Sequence, residues 1–122
     1  QSFKSVFTNL GKAYLQFVAK YPDHARLMFS GIVCDPEKHP QARIAGQEAF
    51  ARLIKSIQRG IDEGYLSKKD NPYMQGLMVW SSVHGTAMLM IENQLNMVEG
   101  VPEFQIDSFA EFMSERLLRG LK

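Results

Sequence analysis

The segment from Pro72 to about Asn93 or Leu95 constrains the fold of this chain more than any other, because its residues are apolar almost all the way round a helix. Asp70 or Asn71 can cap its start, and Pro72 falls in the first helical turn. At helical spacing one side carries Tyr73, Leu77, Trp80, His84, Met88, Ile91 and Leu95, and the rest of the cylinder carries Met74, Met78, Ser82, Val83, Leu89 and Met90. A helix that is apolar on both sides is buried on both sides. We therefore expect one side to pack on the rest of the domain and the other on a second copy of the chain.

The first third of the chain predicts two helices. Apolar residues at spacings of three and four predict a helix that ends near Lys20, with a buried stripe of Phe3, Val6, Phe7, Leu10, Tyr14, Phe17 and Val18. Gly11 lies on or beside this stripe, where it either lets another helix or a ligand approach closely or is simply a tolerated helix glycine. Pro22 then begins a second helix, which we expect to end near Cys34, just before Pro36.

Two further helices complete the pattern. Pro40 begins the third helix, whose buried stripe is expected to hold Phe50, Leu53, Ile54, Ile57 and Ile61, and Gly64 is expected to end it as a left-handed cap. After a loop over residues 98–105, Ser108 and Glu111 have the spacing of a capping box that begins the last helix. Since no strand pattern or repeat is present, we predict an all-α fold of about five helices, with residues 1–122 forming a single domain.

Length and charge narrow the class of protein. Fourteen basic and thirteen acidic residues give a formal charge of +1, so the chain lacks the positive field that drives binding to a phosphate backbone. Cys34 is a lone cysteine, and the chain has neither a leader pattern nor an apolar run of about 18 residues, which together predict a cytoplasmic protein that does not enter the membrane. The chain begins at Gln1 in the middle of a helical pattern, and we therefore expect it to be a fragment.

Catalytic and metal-binding patterns are weak in this sequence. Cys34 is near only one histidine in sequence, His39, and no base is positioned by spacing to activate it. Glu37 and His39 lack the further ligands that a zinc site requires. We therefore predict no catalytic residue, no metal and no cofactor, and interpret the chain as a protein without enzymatic activity.

His84 is the histidine with the most distinctive surroundings, because it lies one turn after Trp80 and one turn before Met88 on an apolar helix. A histidine in such a place is most often a hydrogen-bonded core residue. It can also contact a ligand inside a cavity or serve as an axial haem ligand. The methionines of the same helix suit a pliable pocket that accepts several apolar shapes, although they also serve simply to fill a core.

Three segments, taken in order, resemble a known family. They are Tyr21-Pro22-Asp23 with Arg26-Leu27-Met28-Phe29, the long helix that ends in Gly64-Tyr65-Leu66, and Trp80-Ser81-Ser82-Val83-His84-Gly85. Together they resemble the carboxy-terminal domain of TetR-like (tetracycline-repressor-like) transcriptional regulators, in the subgroup with a tryptophan, histidine and glycine signature. The resemblance extends from about Phe3 to Leu118.

This resemblance implies a homodimer with a four-helix interface and a cavity for a small apolar effector in each protomer. It implies DNA binding only through amino-terminal helix-turn-helix heads, which do not precede Gln1 in this chain. From the resemblance and the apolar pattern together, we expect the ligand to contact residues among Phe17, Phe29, Phe50, Leu53, Trp80, His84 and Met88. We expect the dimer interface to include Met78, Ser82, Val83, Leu89, Met90, Phe112 and Arg116.

A second hypothesis comes from a different class of protein. The same apolar helix and His84 would also suit a helical carrier of haem or of another lipophilic molecule. The two hypotheses differ in what they require of His84, since a carrier needs its ring nitrogen to face an open pocket.

Overall fold

The computed structural model describes residues 2–29, 40–92 and 105–122, and these contain five α-helices and no strand. The helices are α1 (Phe3–Lys20), α2 (Pro22–Phe29), α3 (Pro40–Asp62), α4 (Pro72–Ile91) and α5 (Ile106–Gly120). The prediction of an all-α fold with five helices is therefore confirmed. The expected end of the second helix near Cys34 and the loop that begins at Val98 lie outside the described residues.

Helix α1 is the centre of the fold, since it contacts each of the other four helices. Its side chains Leu15 and Val18 are almost fully buried, and Ile57 of α3 is buried to the same degree. Close packing between α1 and α3 depends on Gly60, because a Cβ atom at this position would lie 2.6 Å from Cζ of Phe3.

The predicted helix ends at two places are confirmed. The side chain of Asn71 accepts a hydrogen bond from the backbone N–H of Tyr73 at 2.8 Å, which caps α4. Gly64 has a φ of +84° after the end of α3, a conformation that glycine adopts without steric cost. The backbone N–H of Tyr65 then donates to the carbonyl of Gly60 at 2.8 Å, so the end of α3 is closed as the sequence predicts.

The predicted start of α5 is wrong. The helix begins at Ile106 with Gln105 at the capping position, and Ser108 lies inside its first turn rather than at its cap. The physical reason is burial, because Ile106 and Phe109 both pack against the core, and a helix that began after Ser108 would leave Ile106 outside it. No side chain supplies the cap hydrogen bond at this end.

Hydrogen bonds fix α4 against its neighbours at both ends. At its start, the side-chain nitrogen of Gln75 donates to the carbonyl of Leu121, which also accepts the backbone N–H of Ser67 at 2.9 Å. At its end, a guanidinium N–H of Arg26 on α2 donates to the carbonyl of Ile91 at 3.2 Å. A cation at the end of a helix also interacts favourably with the helix dipole. These contacts set the rotation of α4 relative to the core.

That rotation buries only one side of α4. Gly76, Val79, Val83, Thr86 and Ala87 face the core, and the opposite side is exposed to solvent within one chain. We call this exposed side the outer face of α4; it consists of Met74, Leu77, Met78, Ser81, Gly85 and Leu89. Large apolar side chains on this face are 43–66% exposed. One side of α4 therefore packs on the rest of the domain, as predicted. That a second copy of the chain covers the outer face stays a prediction.

None of the described helices is both long enough and apolar enough to cross a lipid bilayer.

Candidate functional site

A cavity of about 130 Å³ lies between α1, α3, α4 and α5. It is lined by Phe7, Leu10, Gly11, Tyr14, Ala49, Arg52, Leu53, Val79, Trp80, Val83, Ser114 and Leu117. An apolar cavity of about 150 Å³ in another protein stays dry and binds benzene. The cavity in this chain is therefore large enough for about one six-membered ring.

The polar groups of the lining are few. Among the described lining residues they belong to Tyr14, Arg52, Ser114 and the indole N–H of Trp80, and the other side chains are aliphatic or aromatic. Ala49 and Arg52 are exposed to solvent on α3, whereas Val79 and Val83 on α4 are buried. Since the exposed residues of the described lining lie on α3, a ligand can reach the cavity from that side, past Arg52.

Trp80 organises an aromatic cluster beside the cavity. The rings of Tyr14 and Phe50 each meet its indole edge to face, with centroid distances of 5.4 and 6.3 Å. The imidazole of His84, one turn further along α4, stacks on the same indole at 5.9 Å. Aromatic pairs of this geometry contribute about 0.5–1.5 kcal/mol beyond the area they bury. The cluster therefore gives the cavity one rigid wall.

Tyr14 and His84 form the polar part of this wall. The hydroxyl of Tyr14 lies 3.3 Å from Nδ1 of His84, and the direction of this hydrogen bond follows from the histidine tautomer. Burial raises the pKa of the Tyr14 hydroxyl well above its ordinary value near 10, because the phenolate would be poorly solvated there. Tyr14 is thus a neutral hydrogen-bonding group that both lines the cavity and holds the His84 ring.

The residues expected to contact a ligand divide into three groups. Leu53 and Trp80 line the cavity, and Phe50 and His84 lie directly behind Trp80. Met88 packs against the core without lining the cavity. Phe17 does not line the cavity; it is 37% exposed and contacts the ring of Tyr21, beyond Tyr14 along α1. The side chain of Phe29 lies outside the described part of the chain.

Most of the cavity wall was missed by sequence reasoning. The apolar stripe of α1 did contain Phe7, Leu10 and Tyr14, but periodicity alone does not say which members of a stripe face a cavity. Gly11 was recognised as a place where a ligand could approach, and it does line the cavity. Ser114 had no signal, since a small polar residue in a helix ordinarily faces solvent.

The residues expected at a dimer interface are also found in different places. Met78, Leu89, Phe112 and Arg116 are exposed, and the guanidinium of Arg116 lies over the ring of Phe112 at 5.1 Å. The side chains of Ser82 and Met90 are partly buried.

Val83 differs from the expectation, because it is 8% exposed and lines the cavity. It shares the buried side of α4 with Val79, one turn earlier, rather than the outer face. Val83 is therefore a wall residue of the cavity within one chain.

Within the described ranges, no group of three histidine, cysteine, aspartate or glutamate side chains is placed to hold one metal ion. Cys34, Glu37 and His39 lie outside those ranges. The predicted absence of a metal and of a catalytic site stays a prediction.

The haem alternative gains no support from the geometry around His84. Its Nδ1 is engaged by Tyr14, and the imidazole stacks behind Trp80 without lining the cavity. A cavity of about 130 Å³ holds roughly one six-membered ring, far less than a porphyrin. The same volume is too small for a long-chain lipophile.

The raised pKa of Tyr14 predicts a specific loss of stability in alkali. In the unfolded chain the phenol ionises near its ordinary value of 10, whereas the folded protein keeps it protonated to higher pH. The contribution of Tyr14 is therefore fully present below pH 10 and falls as the pH rises above it, by at most about 1.4 kcal/mol per pH unit. Urea unfolding at pH 8 and pH 11 should show a larger loss for the native chain than for Tyr14→Phe. Equal losses would contradict the assignment.

Comparison of the sequence with models of known protein families gives a result that does not depend on the structure. The family model described as the tetracyclin repressor-like C-terminal domain matches residues 7–117. Comparisons with curated proteins and with solved structures gave no significant match. The matched range contains all the residues that line the cavity and the whole of α4. The chain therefore belongs to the family of TetR-like C-terminal domains.

Proposed function

We propose that this chain is the effector-binding and dimerisation domain of a TetR-like transcriptional regulator. The observation that carries the proposal is the apolar cavity between four helices, walled by Trp80 and Tyr14 and reachable from the side of α3. In this proposal a small apolar molecule enters the cavity and changes the DNA affinity of helix-turn-helix heads that lie outside residues 1–122. The net charge of +1 agrees with a domain that does not itself contact DNA.

The cavity is well placed to couple a ligand to helix positions. Its walls come from α1, α3, α4 and α5, so a ligand that fits one arrangement of these helices better than another shifts the population towards it. Helix α4 presents Val79 and Val83 to the cavity and Met78 and Leu89 to the opposite side. A movement of α4 would therefore reach any partner that packs on its outer face. The coupling is reciprocal, because the partner biases the same equilibrium.

The outer face of α4 is the proposed dimer surface. Helix α4 has no Asp, Glu, Lys or Arg over its whole length from Pro72 to Ile91. Contiguous exposed apolar surface of this kind marks an interaction site in soluble proteins. A Cβ atom at Gly85 would meet no other atom of the described chain within 4 Å, which leaves room for a close helix. Phe112 and Arg116 of α5 provide the aromatic and arginine side chains that are enriched at interfaces.

The proposal includes no catalytic step. The cytoplasmic location and the repressing role in this proposal come from the likeness of the chain to tetracycline-repressor-like regulators.

Filling the cavity should weaken the binding of a one-ring apolar probe. A Cβ atom at Gly11 would lie 3.8 Å from the hydroxyl oxygen of Ser114, an ordinary contact, so Gly11→Leu can fold while its longer side chain occupies the cavity. We expect its affinity for toluene to fall about 5- to 150-fold, which corresponds to an overpacking cost of about 1–3 kcal/mol. Trp80 is the single tryptophan of the chain and lines the cavity, so its fluorescence reports the titration.

The matched control is Ala13→Leu, which enlarges an exposed side chain of the same helix away from the cavity. This variant should bind toluene as the native chain does. Equal binding by the Gly11 and Ala13 variants would contradict the proposed site, as would the absence of any saturable response of Trp80 in the native chain.

A further inference from the structure

Among the described residues that line the cavity, Arg52 is the only one with a cationic side chain, and it is exposed to solvent. Within the described part of the chain it forms no ion pair or hydrogen bond with another side chain, whereas Arg59 on the same helix is paired with Glu63 at 2.6 Å. Glu48, one turn before Arg52, is exposed and does not pair with it. The guanidinium is therefore available to a ligand that arrives from solvent.

No other described residue of the lining carries a group that could neutralise this charge. None of these residues is aspartate or glutamate, and the inner hydroxyl of Tyr14 is neutral and held by His84. A guanidinium presents a planar set of N–H donors that matches a carboxylate in two parallel hydrogen bonds. The guanidinium of Arg52 therefore favours a planar anionic group on the ligand, and the apolar residues of the lining favour an apolar remainder.

The size of the cavity limits that body to about one ring. The volume of about 130 Å³ is slightly less than that of a cavity known to hold benzene. Its aromatic wall, formed by Trp80 and Tyr14, suits the face or edge of a planar ring. A longer alkyl chain would have to leave the cavity again past Ala49 and Arg52.

We propose that the effector class of this domain is a one-ring aromatic carboxylic acid, with its ring beside Trp80 and its carboxylate on the guanidinium of Arg52. This proposal rests on the proposed function, because it assumes that the same cavity is the effector site. Unlike the proposed function, it gives the ligand a negative charge and makes Arg52 of α3 the residue that recognises it.

The test compares benzoate with benzamide, which have the same ring and nearly the same shape but differ in charge. Both are titrated at pH 7.5 into the native chain and into Arg52→Met, with Trp80 fluorescence as the readout. We expect the native chain to bind benzoate up to about 5-fold more tightly than benzamide, as is typical of an ion pair at an exposed site. Arg52→Met should lose this preference, so that benzoate and benzamide bind with nearly equal affinity.

Two further variants separate the role of Arg52 from a general effect of charge. Lys55→Met removes a positive charge from an exposed position of the same helix that does not line the cavity, and should keep the preference for benzoate. Arg52→Lys keeps the charge but loses the planar donor pair, and should retain only part of the preference.

The possible outcomes distinguish this inference from the proposed function. If benzoate and benzamide bind equally to the native chain and Arg52→Met changes neither affinity, the anionic ligand is ruled out, while the cavity itself remains the site. A preference for benzoate that is lost equally in the Arg52 and Lys55 variants would also overturn the assignment to Arg52. If toluene, benzoate and benzamide all fail to bind, both proposals fall.

Discussion

Replacing Met78 and Leu89 with glutamate is expected to convert a dimer of this domain into folded monomers. Both side chains are 43% exposed within one chain and lie on the outer face of α4, so the substitutions leave the core intact. In a dimer they would bury carboxylates in an apolar interface without partners, which costs several kcal/mol. We expect the dimer dissociation constant to rise about 100-fold or more, measured by sedimentation equilibrium at micromolar concentration.

The matched control is the double variant Gln47→Glu with Ala51→Glu, which adds the same negative charge to exposed positions of α3. It should sediment like the native chain, and circular dichroism should show unchanged helix content in both double variants. A native chain that is already monomeric, or a Met78 and Leu89 variant that remains dimeric, would contradict the proposed interface.

Ile57→Ala is expected to lower the free energy of unfolding by about 2–5 kcal/mol, the range for truncating a fully buried aliphatic side chain. Ile57 is 0% exposed and lies in the core where α1 and α3 pack together. Its removal leaves a cavity that the surrounding helices fill only in part. Urea unfolding followed by circular dichroism gives the value.

Lys55→Ala serves as the control for this substitution, because Lys55 is exposed on the same helix and its removal should change the free energy of unfolding by less than about 0.5 kcal/mol. A cost below about 1 kcal/mol for Ile57→Ala would mean that α1 and α3 do not pack as described.

Helix positions were predictable from sequence because they depend on neighbouring residues. Pro22, Pro40 and Pro72 begin helices as their fixed backbone geometry requires, and Gly64 follows the third helix in a left-handed conformation. The predicted start of α5 was wrong because it relied on the local signal of Ser108 alone. Burial of Ile106 outweighs that signal and places the start of the helix earlier. Local signals therefore suffice unless tertiary packing opposes them.

The rotation of α4 could not be predicted, since a helix without a charged side gives no sign of which side faces water. Val83 and Met78 look alike in such a pattern, yet one lines the cavity and the other is exposed. The difference is set by contacts with other helices, such as the hydrogen bond from Gln75 to Leu121 and the contact of Thr86 with Met113.

The cavity was the least predictable feature, because it is a space between four helices rather than a property of any one of them. Trp80 and Leu53 were expected in it, but its other walls include Tyr14 and Ser114, which are 66 and 34 residues away from Trp80 in sequence. Phe17 seemed equivalent to Tyr14 in the stripe of α1, and only the packing of that helix separates them. Sequence periodicity predicts which residues lie on the buried face of a helix, but it does not predict where a cavity remains between the packed helices.

¹⁹F NMR of the chain labelled with 5-fluorotryptophan shows directly whether the cavity beside Trp80 is the effector site. Since the chain has one tryptophan, the spectrum of the native protein has one protein signal. We expect toluene to shift this signal in a saturable way, and Gly11→Leu to need about 5- to 150-fold more toluene for the same shift. A signal that stays unchanged up to the solubility limit of toluene, or that shifts equally in Gly11→Leu, would contradict the assignment of the cavity as the effector site.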